Sequence, residues 1–248
     1  MAVNVDTVYK TVLYILNKEQ RGYMTPDEFN KVGQQVQLEI FEAYFEELNQ
    51  LQRQPQTNTE FSDRVQQIQN KIAPFEVEGA ATFVGPAPGF FYLPSDLHRL
   101  GEIYYNDTTI VQPVQQNEYL LINKSPLTSP TLSQPIYVQR GEYQSAPGSP
   151  TSFPVLNNKI FVYPTSIQSL IKCSYVKTPA QINWAFTVNS LGAYIFAITG
   201  AQNFELDVSE QTEIILKILQ YSGIIIRDPQ IVQTAAQLVQ QDTVNEKS

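Results

Sequence analysis

The sequence predicts an α+β protein in which N- and C-terminal helices form one helical body around a large β-rich central insertion, a barrel or a sandwich. Three observations predict this. Apolar residues recur at helical spacing through the first 73 residues and again after residue 206. Between these stretches, short runs of β-branched and aromatic residues alternate with turn signals. Twelve of the sixteen prolines fall between Pro86 and Pro179, which excludes long regular helices there. The expected divisions are residues 1–73, 74–206 and 207–248. Two helical ends that flank an insertion usually pack on each other.

The first helix rests on Val5, Val8, Val12 and Leu16. The stretch NKEQRGYMTPDEFN follows, and each residue of GYMTPDEF has a mechanical use in a corner between helices. Gly22 can end the first helix in a left-handed turn. Thr25 can cap the second, Pro26 suits its first position, and Glu28 can close a capping box with Thr25. The acidic pair in TPDEF also suggests a calcium loop. Such a loop needs oxygen ligands at alternate positions, a central glycine and a glutamate at its twelfth position. Asp27 and Glu28 are adjacent and supply none of that pattern, so a capped corner is expected. Phe29, Val32, Val36, Ile40, Tyr44, Leu48 and Leu51 continue as one long helical stripe, which Pro55 breaks. Phe61, Val65, Ile68 and Ile72 form a third stripe, ended by Pro74.

The central region reads as strands at FEVEGAATFV, GFFYLP, GEIYYN, YLLIN, PIYVQR, KIFVYP and SLIKCSYVK. FPVLNNKIFVYP has the form of a hairpin turning at Asn157-Asn158. SPLTSPTLSQP is a loop, too rich in proline for regular structure. INWAFTVNSLGAYIFAITGAQNFEL is an apolar excursion whose pattern assigns it no place. Helix returns at Asp207, an expected cap with Glu210 closing a second box, followed by Ile214, Leu216, Ile218, Leu219 and Tyr221. Gly223 can end that helix. Asp228 can cap another, with Ile231, Val232, Ala235, Leu238 and Val239 on one face. The tail DTVNEKS is polar.

Only 16% of residues are charged, against roughly 25% in an average globular domain. Neutral amides fill the deficit, in pairs such as Gln34-Gln35, Gln66-Gln67, Gln115-Gln116 and Gln240-Gln241. Amides are cheaper to desolvate than charges, so such a surface suits a subunit packed against others; plain compositional bias is the alternative. The net charge of −8 is spread along the chain and leaves no basic face for phosphates. The single cysteine, Cys173, excludes an internal disulfide and lies in an apolar run. Neither a signal peptide nor a membrane span is expected.

Catalytic sets are sparse. His98 is the one histidine, close to Asp96 but without a nucleophile signature; a short helical turn from Pro94-Ser95-Asp96 with a surface or capping histidine is the simpler expectation. GPAPG, Gly85 to Gly89, lacks the Lys and Ser/Thr of a phosphate loop. Glu46-Glu47 and Asp27-Glu28 fall on predicted helix faces. Phe90, Phe91, Tyr92, Tyr104 and Tyr105 could stack sugars or bases, but a core with rim hydroxyls accounts for them. Trp184 stands alone. No catalytic residue, metal or cofactor is therefore expected, and the chain reads as an assembly component rather than an enzyme.

The segment VYKTVLYILNKEQRGYMTPDEFNKVGQQVQLEIFEAYFEELNQ resembles the N-terminus of a family of virion structural proteins of tailed bacteriophages, the crAss-like phages of gut bacteria among them. LPSDLHRLGEIYYN with VQPVQQNEYLLINKSPLTSPTLSQPIYV is similar to that family's middle. FELDVSEQTEIILKILQYSGIIIRDPQIVQTAAQ is similar to its C-terminal helical pair. The resemblance implies a ring-forming subunit of the head-to-tail connector, an adaptor, or of the tail barrel. About twelve copies would surround the DNA channel, the arrangement by which heterologous contacts close. Partners would be the portal and an adjacent ring or tail-nozzle protein, with viral DNA passing through without sequence-specific binding. The protein would reside in the virion and, during assembly, in the host cytoplasm. Two other expectations stand beside it. One is a phage receptor- or carbohydrate-binding protein that uses the β region. The other is a cell-wall hydrolase, for which Glu102, Asp107 and Glu118 are only scattered acids.

Overall fold

The structure, a computed structural model, describes residues 2–18, 23–53, 59–86, 89–140 and 159–225, with 234, 237, 238, 240 and 241 beyond. Gly22, Pro55, the Asn157-Asn158 turn and the Asp228 cap lie outside the described residues. The chain divides into two compact units, residues 1–73 with 179–248, and residues 74–178. That boundary comes ahead of the change to helix at 207, on which the sequence pattern divides the chain.

The first elements are β1 (Ala2–Val3), α1 (Val5–Lys18), α2 (Pro26–Arg53) and α3 (Thr59–Ile72). Next come β2 (Glu76–Ala80), β3 (Thr82–Val84), β4 (Phe90–Tyr92), β5 (Leu97–Tyr105) and β6 (Thr109–Pro113). They are followed by α4 (Gln116–Ile122), β7 (Ile136–Gln139), β8 (Lys159–Tyr163) and β9 (Ile171–Lys177). The last are β10 (Phe186–Val188), β11 (Tyr194–Phe196), β12 (Phe204–Asp207) and α5 (Gln211–Ile225). The fold is thus α+β among the described residues, with five α-helices.

In the first unit, α1 buries Val5, Val8, Val12 and Leu16, the stripe its sequence spacing predicts. Asn4 caps it, its Oδ1 accepting from the N–H groups of Asp6 (2.9 Å) and Thr7 (3.0 Å). α2 buries Phe29, Val36, Ile40, Tyr44 and Leu51, and α5 buries Ile214 and Ile218. α5 packs beside α2 and α1, and the Tyr221 hydroxyl donates to Glu39 of α2. β1 pairs antiparallel with β12, Val3 opposite Phe204.

α2 also carries a row of amides. Asn30 Oδ1 accepts from the Trp184 N–H (2.8 Å) and Gln34 Oε1 from the Ile182 N–H (3.0 Å). Gln37, fully buried, donates to the Ala180 carbonyl (2.8 Å) and accepts from the Glu205 N–H (3.1 Å). Side chains of one helix face thereby satisfy the backbone of the extended segment 180–184, whose own strand pairing is the isolated bridge of Asn183 with Gln202, and one N–H of β12. Gly33 sits among them because a Cβ would lie 2.4 Å from the Ile182 side chain.

The second unit is a mixed eight-stranded sheet in the order β2-β9-β5-β6-β7-β8-β4-β3. Its two edge strands are consecutive in the chain, separated only by Ala81, whose N–H reaches the Ile171 carbonyl at 2.9 Å. The chain leaves one edge and at once begins the other, so the sheet nearly closes on itself. All named pairs are antiparallel except β6 with β7. Inward residues form one core that includes Phe91, Ile103, Val111, Ile160, Ile171 and Cys173. β9 shows the alternation, with Ile171, Cys173 and Tyr175 buried and the residues between them half-buried.

Two sequence expectations are corrected here. YLLIN is not a strand: it lies in α4 and the residue after it, with Tyr119 N–H bonded to the Gln115 carbonyl (2.9 Å) and Asn123 N–H to that of Tyr119 (3.0 Å). Parallel β6 and β7 need a crossover, and Leu120 and Leu121 favour helix, so the connection takes that form. Pro94-Ser95-Asp96 does not start a helical turn. It makes one tight turn, Leu97 N–H to the Pro94 carbonyl at 3.3 Å, and enters β5, where His98 is a half-buried strand residue.

Replacing Gln37 with Leu should cost about 1–3 kcal/mol in denaturant unfolding, because the half-buried Ala180 carbonyl and Glu205 N–H both lose this partner. Gln35→Ala, on the exposed side of the same helix, should stay within about 0.5 kcal/mol. Equal costs for the two would refute a special role for the amide row.

Candidate functional site

The features most unlike an ordinary surface are two apolar projections, one in each unit. In the first unit, no charged side chain occurs from Thr178 to Phe204. The amide row holds Trp184 in place, and its indole N–H donates to Asp6 Oδ1 at 3.0 Å. The indole packs on Tyr9 of α1 (4.4 Å between centroids) and on Phe196 (5.7 Å) and Phe186 (6.0 Å), the pair at the base of the β10–β11 hairpin. The hairpin pairs Phe186 with Phe196, Thr187 with Ile195 and Val188 with Tyr194.

Its turn is locally fixed. Asn189 N–H bonds to the Ala193 carbonyl (3.0 Å) and Gly192 N–H to the Asn189 carbonyl (3.0 Å). Asn189 Oδ1 accepts from the N–H groups of Leu191 (3.0 Å) and Ala193 (2.9 Å). Gly192 takes a φ of +80°, the left-handed residue that a three-residue hairpin loop requires. This scaffold presents Leu191 at 90% exposure. Val188, Tyr194 and Ile195 are exposed behind it, and Ile198, after the hairpin, is 85% exposed.

In the second unit the same construction recurs on α4 and the loop after it. The Thr128 hydroxyl donates to the Ile122 carbonyl (2.7 Å), the Ser129 N–H to the Ser125 carbonyl (3.1 Å) and the Ser129 hydroxyl to the Pro126 carbonyl (3.0 Å). Thr131 and Gln134 bridge the loop's end. The bonds present Leu127 at 96% exposure, with Leu120, Leu121 and Leu132 also exposed. An open pocket of about 530 Å³ beside α4 is lined by Pro113, Gln115, Gln116, Glu118, Tyr137 and Gln139. Both projections lie in segments whose function the sequence pattern left unassigned.

The residues singled out in the sequence fall elsewhere. Thr25 and Glu28 form a reciprocal box: Glu28 Oε2 accepts from the Thr25 N–H (2.8 Å) and hydroxyl (2.8 Å), and Thr25 Oγ1 accepts from the Glu28 N–H (3.4 Å). Asp207 accepts from the Ser209 N–H at 3.0 Å, a bond that holds its carboxyl below the usual range. Glu210, 3% exposed, lies 2.6 Å from Lys71 Nζ, and Lys71 sits over the Tyr44 ring. The Glu210 carboxylate, expected to close a box with Asp207, is engaged by Lys71, and Asp207 caps the short turn Val208–Glu210 that precedes α5. Glu213 is paired with Lys217 at 3.2 Å, yet burial pushes its carboxyl up.

Asp96 accepts from the Tyr175 hydroxyl at 3.0 Å; burial, then that bond, pushes the phenol up to about 12. Cys173 is buried and its thiol is pushed up to about 11, far from a reactive thiolate. Asp107 pairs with Lys172 (2.6 Å). Phe91 is core, while Phe90 and Tyr92 flank the buried Lys159, whose Nζ lies 4.4 Å from the Phe90 centroid. Among the described residues no three His, Cys, Asp or Glu side chains gather as metal ligands, and no helix is long and apolar enough to cross a membrane.

The capped corner yields a pH-dependent prediction. The bonds from Thr25 hold the Glu28 carboxyl below its usual range. A carboxyl lowered on folding adds stability above its unfolded pKa of about 4.3, and that stability is lost as pH falls through the folded value. Thr25→Ala should therefore cost about 1 kcal/mol at neutral pH, and the gap from wild type should shrink below about pH 4. A chelator should leave the melting temperature unchanged; a calcium-dependent shift would overturn the corner assignment.

No family model matches the chain, and no curated protein matches it in sequence.

Proposed function

We propose that this chain is a virion structural protein: one subunit of a homo-oligomeric ring in the head-to-tail connector or tail barrel of a tailed bacteriophage. One observation carries the reading. The chain displays two different preorganised apolar projections, one in each compact unit. A symmetric dimer needs a single self-complementary patch, whereas a ring of identical subunits needs two unlike patches that meet head to tail. Exposed apolar area of this extent marks an interaction surface on a soluble protein.

The resemblance to phage virion proteins points the same way, as does a surface poor in charge. In this reading the N- and C-terminal helices form the ring body, and the sheet unit meets the portal, the next ring or the tail nozzle. The chain has no enzymatic role. The net charge of −8 suits the wall of a DNA conduit, because a negative lumen repels the duplex and lets it slide. A channel lined by Lys and Arg would refute that part.

Light scattering of the purified protein at several concentrations, with images of negatively stained particles, tests the proposal. Closed rings of about twelve copies are expected, alone or on addition of the portal. A compact trimer would favour a receptor-binding protein, and a monomer that stays monomeric with the portal would overturn the ring.

A further inference from the structure

We draw no further inference here: the strongest candidate, the exposed apolar patch on the β10–β11 hairpin with Leu191 at its tip, carries nothing because nothing in the structure shows what covers it.

Discussion

The row of amides on α2 is the constraint on which the first unit depends. Asn30, Gln34 and Gln37 stand at i, i+4 and i+7, one face of a helix. Their partners are Trp184, Ile182 and Ala180, which descend the chain by two at each step. On a helix these steps rise about 6 and 4.5 Å, and two residues of extended chain rise about 6.6 Å, so one face can serve an antiparallel segment for a few rungs and no further. An amide can both donate and accept, so Gln37 joins the Ala180 carbonyl to the Glu205 N–H and locks two passes of the chain to one helix. Lys or Glu there would offer only half of that exchange and would carry a buried charge.

What the row secures is a direction. Trp184 is itself the last rung, and its indole, held by Asp6 and packed on Tyr9, sets the plane from which the hairpin leaves. In the sheet unit the equivalent constraint is topological. β2 and β3 are consecutive strands at opposite edges, so the sheet curls back on itself and its inner face fills with apolar side chains. The parallel step from β6 to β7 must then be bridged from outside, by α4 and its loop. In both units side-chain bonds to nearby backbone, from Asn189 and from Thr128, hold a tip that leaves leucines outside.

Elements with one dominant local signal were legible from residue types. The stripes of α1 and α2 and the Thr25–Glu28 box follow from spacing within a few residues, and proline density marked the β-rich centre. YLLIN was not, because four apolar residues fit a strand or a helix and the choice was made by a parallel strand pair distant in sequence. The excursion from Ile182 to Leu206 was illegible for a similar reason. Its partners are amides about 150 residues earlier, and amide side chains carry no periodic signal of their own. Gln34 looks in the sequence like solvent-facing polarity suited to a partner, yet its amide is spent inside the fold. The candidate surfaces were hidden by the same gap. An exposed leucine and a buried one are the same letter, and only Asn189 and Thr128, each bonding nearby backbone, hint that the tips are held outward.

Rigid apolar tips raise the question of what limits their association. Head-to-tail contact between unlike patches has no natural end unless the rotation between copies closes it, so an imperfect angle gives filaments. Two features of this chain oppose that outcome. The same segments expose Thr187, Ser190, Thr131 and Ser133, neutral groups that can hydrogen-bond to water and so weaken indiscriminate sticking. A net charge of −8 on 248 residues keeps copies apart until short-range fit repays the approach. If the tips join copies into the proposed ring, a single contact can stay weak, because closure gives every subunit two. In such a ring, cooperative closure of weak, fixed contacts would favour the finished ring over its fragments.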